Sequence, residues 1–396
     1  MPEEQAIGKP SAPAVDAAKP VHRFWRNEDC LVAQVLFMVA FGCWMAARIL
    51  YDNTEFADLL PAWMSLRIVR YGCFAILLGR EIVFCRWDLR TIALAALLAF
   101  MAYMALMGGR TVLADGAVLI FAARNMPFRK VLIEAFVLMG CIVVVTIVAS
   151  QVGIIPDQTM WSEHGTRHFL GFVWPYTPPA FVSFMVCFYV ALRGKRVGIL
   201  DILGAVVLSV AIYFPTLCRT VLILGPLPVV LAFVVRYLPD KFWKKRPIRL
   251  LCLGSVIVAA IVSVTLAWFF SFDSQFMQEL NQLLSGRLLY GHSALVDTGV
   301  RLFGHDVNWS GTPVDNAYIH ILVRCGLLFT VVGIALATNA CKKALDSEDW
   351  ILVVIIGCLA LNGVIETTCF LLYYDVFLCL IGNAFLHRSA TVASPV

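Results

Sequence analysis

Charged side chains are scarce in this sequence: Asp, Glu, Lys and Arg make up 14% of its 396 residues, against 61% hydrophobic ones, and the mean hydropathy is +0.83. That shortage excludes a soluble globular protein, in which about a quarter of the residues are charged. No Walker motif or glycine-rich dinucleotide loop is present, so nucleotide binding has no support, and nothing points to nucleic acid as a partner. No Cys-x-x-Cys pair occurs among the thirteen cysteines. Most of them, such as Cys141, Cys187, Cys252 and Cys358, stand inside apolar runs where a thiol behaves as a small hydrophobe. Neither a disulfide framework nor a zinc site is expected, and no cofactor is implied. Residues 1–30, rich in Ala, Pro, Lys and Glu, lack the apolar core and cleavage site of a signal peptide. They read as a disordered tail.

What the chain has in abundance is long apolar runs. Crossing a hydrocarbon layer of roughly 30 Å takes about 20 apolar residues in a helix, and such runs recur from Leu31 to His387. The pattern predicts an all-α, polytopic integral membrane protein with one transmembrane domain over 31–387 and a short tail over 388–396. About twelve helices are expected, near 31–50, 62–79, 91–108, 111–123, 131–153, 172–192, 198–214, 219–236, 248–270, 317–341, 350–365 and 369–386. The fourth is short and follows Gly108, Gly109 and Arg110, which suggests a broken or re-entrant element.

Basic residues collect in alternate connections: the N-terminal tail, 80–90, 124–130, 193–196, 236–249, 342–343 and Arg388. By the positive-inside rule those segments, and with them both termini, are cytoplasmic, and the other connections face outward. Nine basic residues remain for the outer side or the bilayer: Arg48, Arg67, Arg70, Arg110, Arg167, Arg219, Arg287, Arg301 and Arg324. All nine are arginine, while every lysine lies in a cytoplasmic segment. Headgroup anchoring would accept either residue. Arginine adds a planar, permanently charged fork that matches phosphate oxygens in pairs, so the bias points to a phosphate-bearing ligand met from outside. Against this, Arg48 and Arg301 are equally suited to snorkelling or to pairing with acids such as Asp52 or Asp115. Arg324, nine residues after Asp315 and so about 13 Å along a helix, needs a partner, ligand or water cavity.

Two outer connections are longer than linkage requires, 154–171 and 271–316. The second carries Ser285, Gly286, Arg287, His292, Asp297, Arg301, His305, Asp306, Asp315, Asn316 and Tyr318. It leads into a helix on which Asn316, His320 and Arg324 are spaced by four and share one face. Interhelical hydrogen bonds with Asp315 as a cap are the plain alternative for that stripe. The first connection holds Glu163, His164, Arg167 and His168, but two imidazoles without a carboxylate at the right spacing do not define a zinc site. Gly291-His292-Ser293 lacks the final glycine of a nucleophile elbow. Asn308 to Ser310 forms a glycosylation triplet of the kind expected by chance, and the acidic cluster over 346–349 reads as a solvated cytoplasmic loop.

The run Arg167-His168-Phe169-Leu170-Gly171-Phe172 stands before an aromatic-Pro pair, and Cys218-Arg219-Thr220 opens a helix. Ser285-Gly286-Arg287 stands early in the large connection and Asp315-Asn316-Ala317-Tyr318 closes it. In this order, over roughly 160–330, the motifs resemble the O-antigen and capsule polymerases of the Wzy type, relatives of the O-antigen ligases. Two departures stand out: Trp174-Pro175-Tyr176 replaces the usual His-Pro-Asn, and Cys218 a usual serine. The resemblance implies a fold similar to GT-C-type membrane glycosyltransferases. It further implies an inverting, metal-independent glycosyltransferase that moves a glycan from polyprenyl pyrophosphate onto the next lipid-linked repeat at the bacterial plasma membrane. A flippase and a chain-length regulator would be partners.

Convergent arginines suit a pyrophosphate leaving group without a metal. Arg219, Arg287 and Arg324 are the expected ligands, Arg67 and Arg70 secondary ones, with Arg167, Asn316 and Tyr318 as further substrate contacts. His320, His168 and Asp315 are candidates for accepting the proton of the attacking hydroxyl. A ligase would use nearly the same parts, and a transporter of lipid-linked sugars would line a passage with them. No internal symmetry of the transporter kind is visible between the two halves.

Overall fold

The computed structural model describes residues 30–60, 65–162, 165–307 and 314–386. Glu163, His164, the Asn308 to Ser310 triplet and both expected tails lie outside them, apart from Cys30. Helices follow the apolar runs: α1 (Leu31–Asn53), α2 (Leu66–Phe84), α3 (Leu89–Met107), α4 (Thr111–Ala123), α5 (Phe128–Gln151), α6 (Thr177–Arg193) and α7 (Ile199–Thr216). After α7 come the short α8 (Thr220–Leu224), α9 (Leu227–Tyr237) and α10 (Asp240–Trp243), then α11 (Arg246–Trp268). Two more short helices, α12 (Gln275–Leu283) and α13 (Arg287–Ser293), precede α14 (Ala317–Asp346), α15 (Trp350–Ile365) and α16 (Leu380–Phe385). One antiparallel hairpin, β1 (Thr159–Ser162) with β2 (Gly165–His168), interrupts them, pairing Met160 with Arg167 and Thr159 with His168. In lipid each backbone amide needs an internal partner, which a helix supplies from its own chain.

Among the described residues, eight helical segments are long and apolar enough to cross a bilayer. The chain is therefore a multi-pass membrane protein. The expected twelve do not all meet that standard. α2 carries Arg67, Arg70, Arg80 and Glu81, and α4 and α15 are shorter, at 13 and 16 residues. The expected single helix over 369–386 is broken: 3-10 turns at Thr367–Phe370 and Val376–Cys379 flank a non-helical stretch before α16. Asp375 starts the second turn by accepting the Phe377 amide.

Buried charges fasten α1, α2 and α4 at both ends. At the end that carries the lysines, Arg124 donates to Glu81 at 2.6 and 3.0 Å. Arg80 donates there to Glu81, Ala33 O and Ala122 O. At the opposite, loop-bearing end, Asp115 accepts from Arg48 and Arg70, each at 2.6 Å, and from Trp44 at 3.3 Å. Arg48 also reaches Asp52 at 3.0 Å.

α14 is not continuous. Gly326, at φ 90° and ψ 169°, breaks it, and the loop preceding α14 folds back into the break. Leu327 N donates to Arg301 O at 2.8 Å and His305 N to Arg324 O at 3.0 Å, so the loop supplies the partners the broken helix lost. Small residues allow the approach. A Cβ on Gly326 would lie 2.5 Å from the Phe303 carbonyl carbon, and one on Gly304 would lie 2.1 Å from Met104 O at the end of α3.

Candidate functional site

The polar chemistry of the loop-bearing end falls into three groups. The first is the set already described: Arg48 and Arg70 against Asp52 and Asp115. It is balanced in charge, and Asp115 is 1% exposed. Both of its arginines are held by Asp115, 45 and 67 residues away. Arg70 therefore acts as a strut between helices here, while Arg67, one turn earlier, is exposed.

The second group surrounds Arg287. Gly286, at φ 84°, turns the chain so that α13 opens with this arginine. Its Nε donates to Ile365 O at 2.7 Å, at the C-terminal end of α15 where carbonyls lack helical partners, and Nη1 donates to Leu284 O at 3.2 Å. Nη2 stands 3.3 Å from Glu366 and 3.8 Å from Asp315. One guanidinium thus serves two carboxylates. Burial and nearby Asp315 push the Glu366 carboxyl up against the opposing pull of Arg287, to about 7. Burial also raises the Asp315 carboxyl, again against Arg287.

Asn316 and Tyr318 bind the start of α14 to α15. The Asn316 side chain caps α14 by accepting Ile319 N at 3.1 Å and donates to Val364 O at 2.9 Å. The Tyr318 hydroxyl donates to Ala360 O at 2.9 Å, with the residue 1% exposed. Both were expected at substrate. In the structure Asn316 Nδ2 and the Tyr318 hydroxyl donate to carbonyls of α15, while Asn316 Oδ1 caps α14.

The third group is cationic. Arg110, at the start of α4, lies within electrostatic range of both Arg324 and His320, and His320 also senses Arg324. Asp306, brought in by the docked loop beside Gly109, is the acid that acts on Arg324. The chain places Arg324 two residues before the Gly326 break, beneath the loop, rather than within an unbroken helix. Arg110 did not figure among the expected site residues. Its signal was the Gly108-Gly109-Arg110 turn, where a Cβ on Gly108 would lie 2.4 Å from Arg324 O.

The hairpin closes one side. Glu55 N donates to Gly171 O and Val173 N to Asn53 O, each at 3.0 Å, which pins the segment after β2 to the end of α1. Tyr176 follows, within electrostatic range of Glu366, Asp315 and Arg110. Burial, with those two acids, pushes its phenol well up, so it remains a hydroxyl donor. Arg167 donates from Nε to Thr216 O at 2.9 Å and acts on Glu366. His168 lies apart, its Nδ1 2.7 Å from Asp157 at the base of the hairpin. Arg219 and Arg301 are exposed.

The loop-bearing end therefore carries an acid-rich group around Arg287 and an arginine group of Arg110 and Arg324 with Asp306, both within electrostatic range of Tyr176 through Glu366, Asp315 and Arg110. No protein-family model, curated protein or solved structure matches the chain. The fold and the charged end together define a helical multi-pass membrane protein with a polar centre at one end of its bundle.

Proposed function

We propose that this chain is a membrane glycosyltransferase that polymerises polyprenyl-pyrophosphate-linked oligosaccharide repeats at the outer face of a bacterial plasma membrane. In this reading the lysine-bearing end and both termini are cytoplasmic, and the loop-bearing end faces outward. A GT-C-like architecture and work alongside a flippase and a chain-length regulator belong to the same proposal. The observation that carries it is that Arg110 and Arg324 lie within electrostatic range of each other and of His320, with Asp306 of the docked loop beside Gly109 acting on Arg324.

Two guanidiniums in a partly dehydrated place gain from an anion beyond the one carboxylate of Asp306. A pyrophosphate has oxygens enough for both forks. In glycosyl transfer it gains negative charge as the anomeric bond breaks, so fixed cations stabilise the transition state more than the bound donor. An inverting reaction needs the acceptor hydroxyl on the face of the sugar opposite the leaving pyrophosphate.

The test is incubation of purified protein with a synthetic polyprenyl-pyrophosphate-linked repeat, followed by product length on a gel. A ladder from wild type that is lost in Arg324→Lys and Arg110→Lys supports the reading. Transfer of a single finished glycan to another acceptor would make it a ligase. Movement of the lipid-linked sugar across a vesicle membrane without lengthening would make it a transporter.

A further inference from the structure

α7 packs inward by a narrow stripe. Its buried residues, Ala205, Ser209, Ile212 and Thr216, recur at helical spacing, while Leu203 and Val207 are exposed. Beside that stripe the row Leu200, Gly204 and Leu208, spaced by four, borders a crevice of about 260 Å³. Phe136 of α5, Met185 of α6 and Val229 of α9 form its other walls. Glycine makes the room, since a Cβ on Gly204 would meet no heavy atom within 4 Å. From Leu200 to Leu208 the helix rises about 12 Å, close to the half of a roughly 30 Å hydrocarbon layer that belongs to one leaflet. Exposed apolar residues flank the crevice, Ile133 and Val137 on α5 and Leu203 and Val207 on α7, so it opens onto lipid.

The mouth of the crevice, at the lysine-bearing end, is polar. Tyr189 and Asp201 line it, the Tyr189 hydroxyl donating to Asp201, which also accepts Gly198 N at 2.7 Å. Arg193, one turn beyond Tyr189, stands 3.8 Å from Asp201 with its side chain 48% exposed. Lys195 and Arg196 follow on the exposed turn into α7, and Arg236 of α9 donates to Val197 O at 3.1 Å. Arg193 has Asp201 beside it, and Lys195 has Asp240 at 3.6 Å. Arg196 and Arg236 have no ion pair among the described residues, so the mouth carries an excess of positive charge.

We propose that this crevice seats one acyl chain of an anionic phospholipid, whose phosphate is held over the mouth by Arg193, Lys195 and Arg196. Apolar walls of one-leaflet depth suit a chain of the surrounding bilayer. Basic side chains gathered where helices reach the headgroups favour a negatively charged lipid over a zwitterionic one. Tyr189 stands at the boundary, with its ring lining the crevice and its hydroxyl among the polar groups. The lipid-linked donor of the proposed polymerase is a separate ligand, assigned to Arg110 and Arg324 at the loop-bearing end.

The experiment titrates delipidated protein in detergent with phosphatidylglycerol, with phosphatidylcholine of the same chains and with polyprenyl phosphate. Melting temperature and the lipid retained in native mass spectrometry are read for each. Phosphatidylglycerol is expected to protect at about tenfold lower concentration than phosphatidylcholine. Gly204→Leu fills the crevice and removes a glycine from a helix, so without lipid it should melt no lower than wild type, and it should retain no phosphatidylglycerol. Lys195→Gln combined with Arg196→Gln leaves the crevice open and should bring phosphatidylglycerol to the level of phosphatidylcholine. A diazirine on the acyl chain of phosphatidylglycerol should label Met185 or Leu208 in wild type, a readout that needs no variant to fold. Equal protection by the two phospholipids, full retention by folded Gly204→Leu, or labels confined to other faces would each overturn the proposal. Protection by polyprenyl phosphate at lower concentration than phosphatidylglycerol would overturn it as well and give the crevice to the carrier lipid.

Discussion

The backbone amide of His305 donates to the backbone carbonyl of Arg324 at 3.0 Å, joining the loop before α14 to the last turn of that helix's first half. The contact holds Arg324 at a fixed place beside Arg110. It depends on glycine at 304 and 326, because a side chain at either would strike the opposing backbone. Gly304→Ala is expected to destabilise the protein by about 1–3 kcal/mol through that clash. A lowered melting temperature in detergent, with faster amide exchange over 299–307, would establish the coupling. Unchanged exchange there would refute it.

Asp115 is the acid on which α1, α2 and α4 converge. Asp115→Asn leaves Arg48, itself 5% exposed, beside one partly exposed acid and takes from Arg70 its ion-pair partner. A loss of about 3–5 kcal/mol is expected, as when one member of a buried pair is removed. Arg67→Ala, on the exposed side of α2, should stay within about 0.5 kcal/mol of wild type. Chemical denaturation of the two variants separates strut from surface.

Glu81 does the same work at the lysine-bearing end, where it accepts from both Arg80 and Arg124. Glu81→Gln leaves two buried guanidiniums facing each other without an anion, and a drop of similar size is expected. Since this end lies away from the arginine centre, any residual folded protein should keep the polyprenyl-pyrophosphate affinity that the proposed function assigns. A selective loss of that affinity in a stably folded variant would contradict the separation of the two ends.

Arg287 and Arg324 should respond differently to lysine. Arg287 uses its fork on Ile365 O, Leu284 O and Glu366 at once, a geometry that an ammonium cannot reproduce. Arg287→Lys is expected to lose both thermal stability and activity. Arg324→Lys keeps the charge under the loop and should stay folded while activity falls by about 10²- to 10³-fold. Melting curves measured beside elongation rates decide whether Arg287 is a ligand of pyrophosphate or a structural tie between α13 and the end of α15.

Much of the helical scaffold was readable along the chain, because a lipid-facing helix announces itself by an unbroken apolar run. The bounds of α4 and α15 coincide with those expected, since a Gly-Gly-Arg turn precedes one and Asp349 caps the other. Hydropathy was blind to the break at Gly326, where apolar residues continue on both sides and only a docked backbone reveals the interruption. It was equally blind to the non-helical stretch between the two 3-10 turns near Asp375, which is as apolar as a helix would be.

The candidate centre divides the same way. The all-arginine set outside the lysine-bearing connections, the dense polar loop and the turn before α4 are properties of the sequence, because charge and periodicity are local. Which arginine meets which acid was decided by tertiary structure. Asp115 meets Arg48 across 67 residues, and Glu366 meets Arg287 across 79, and no local pattern specifies partners so far apart. Composition and spacing determined that arginines would gather at one end of a membrane bundle. Packing of α1, α2, α4 and α15 decided their roles, because the cost of burying a charge is set by the partner that the fold brings beside it.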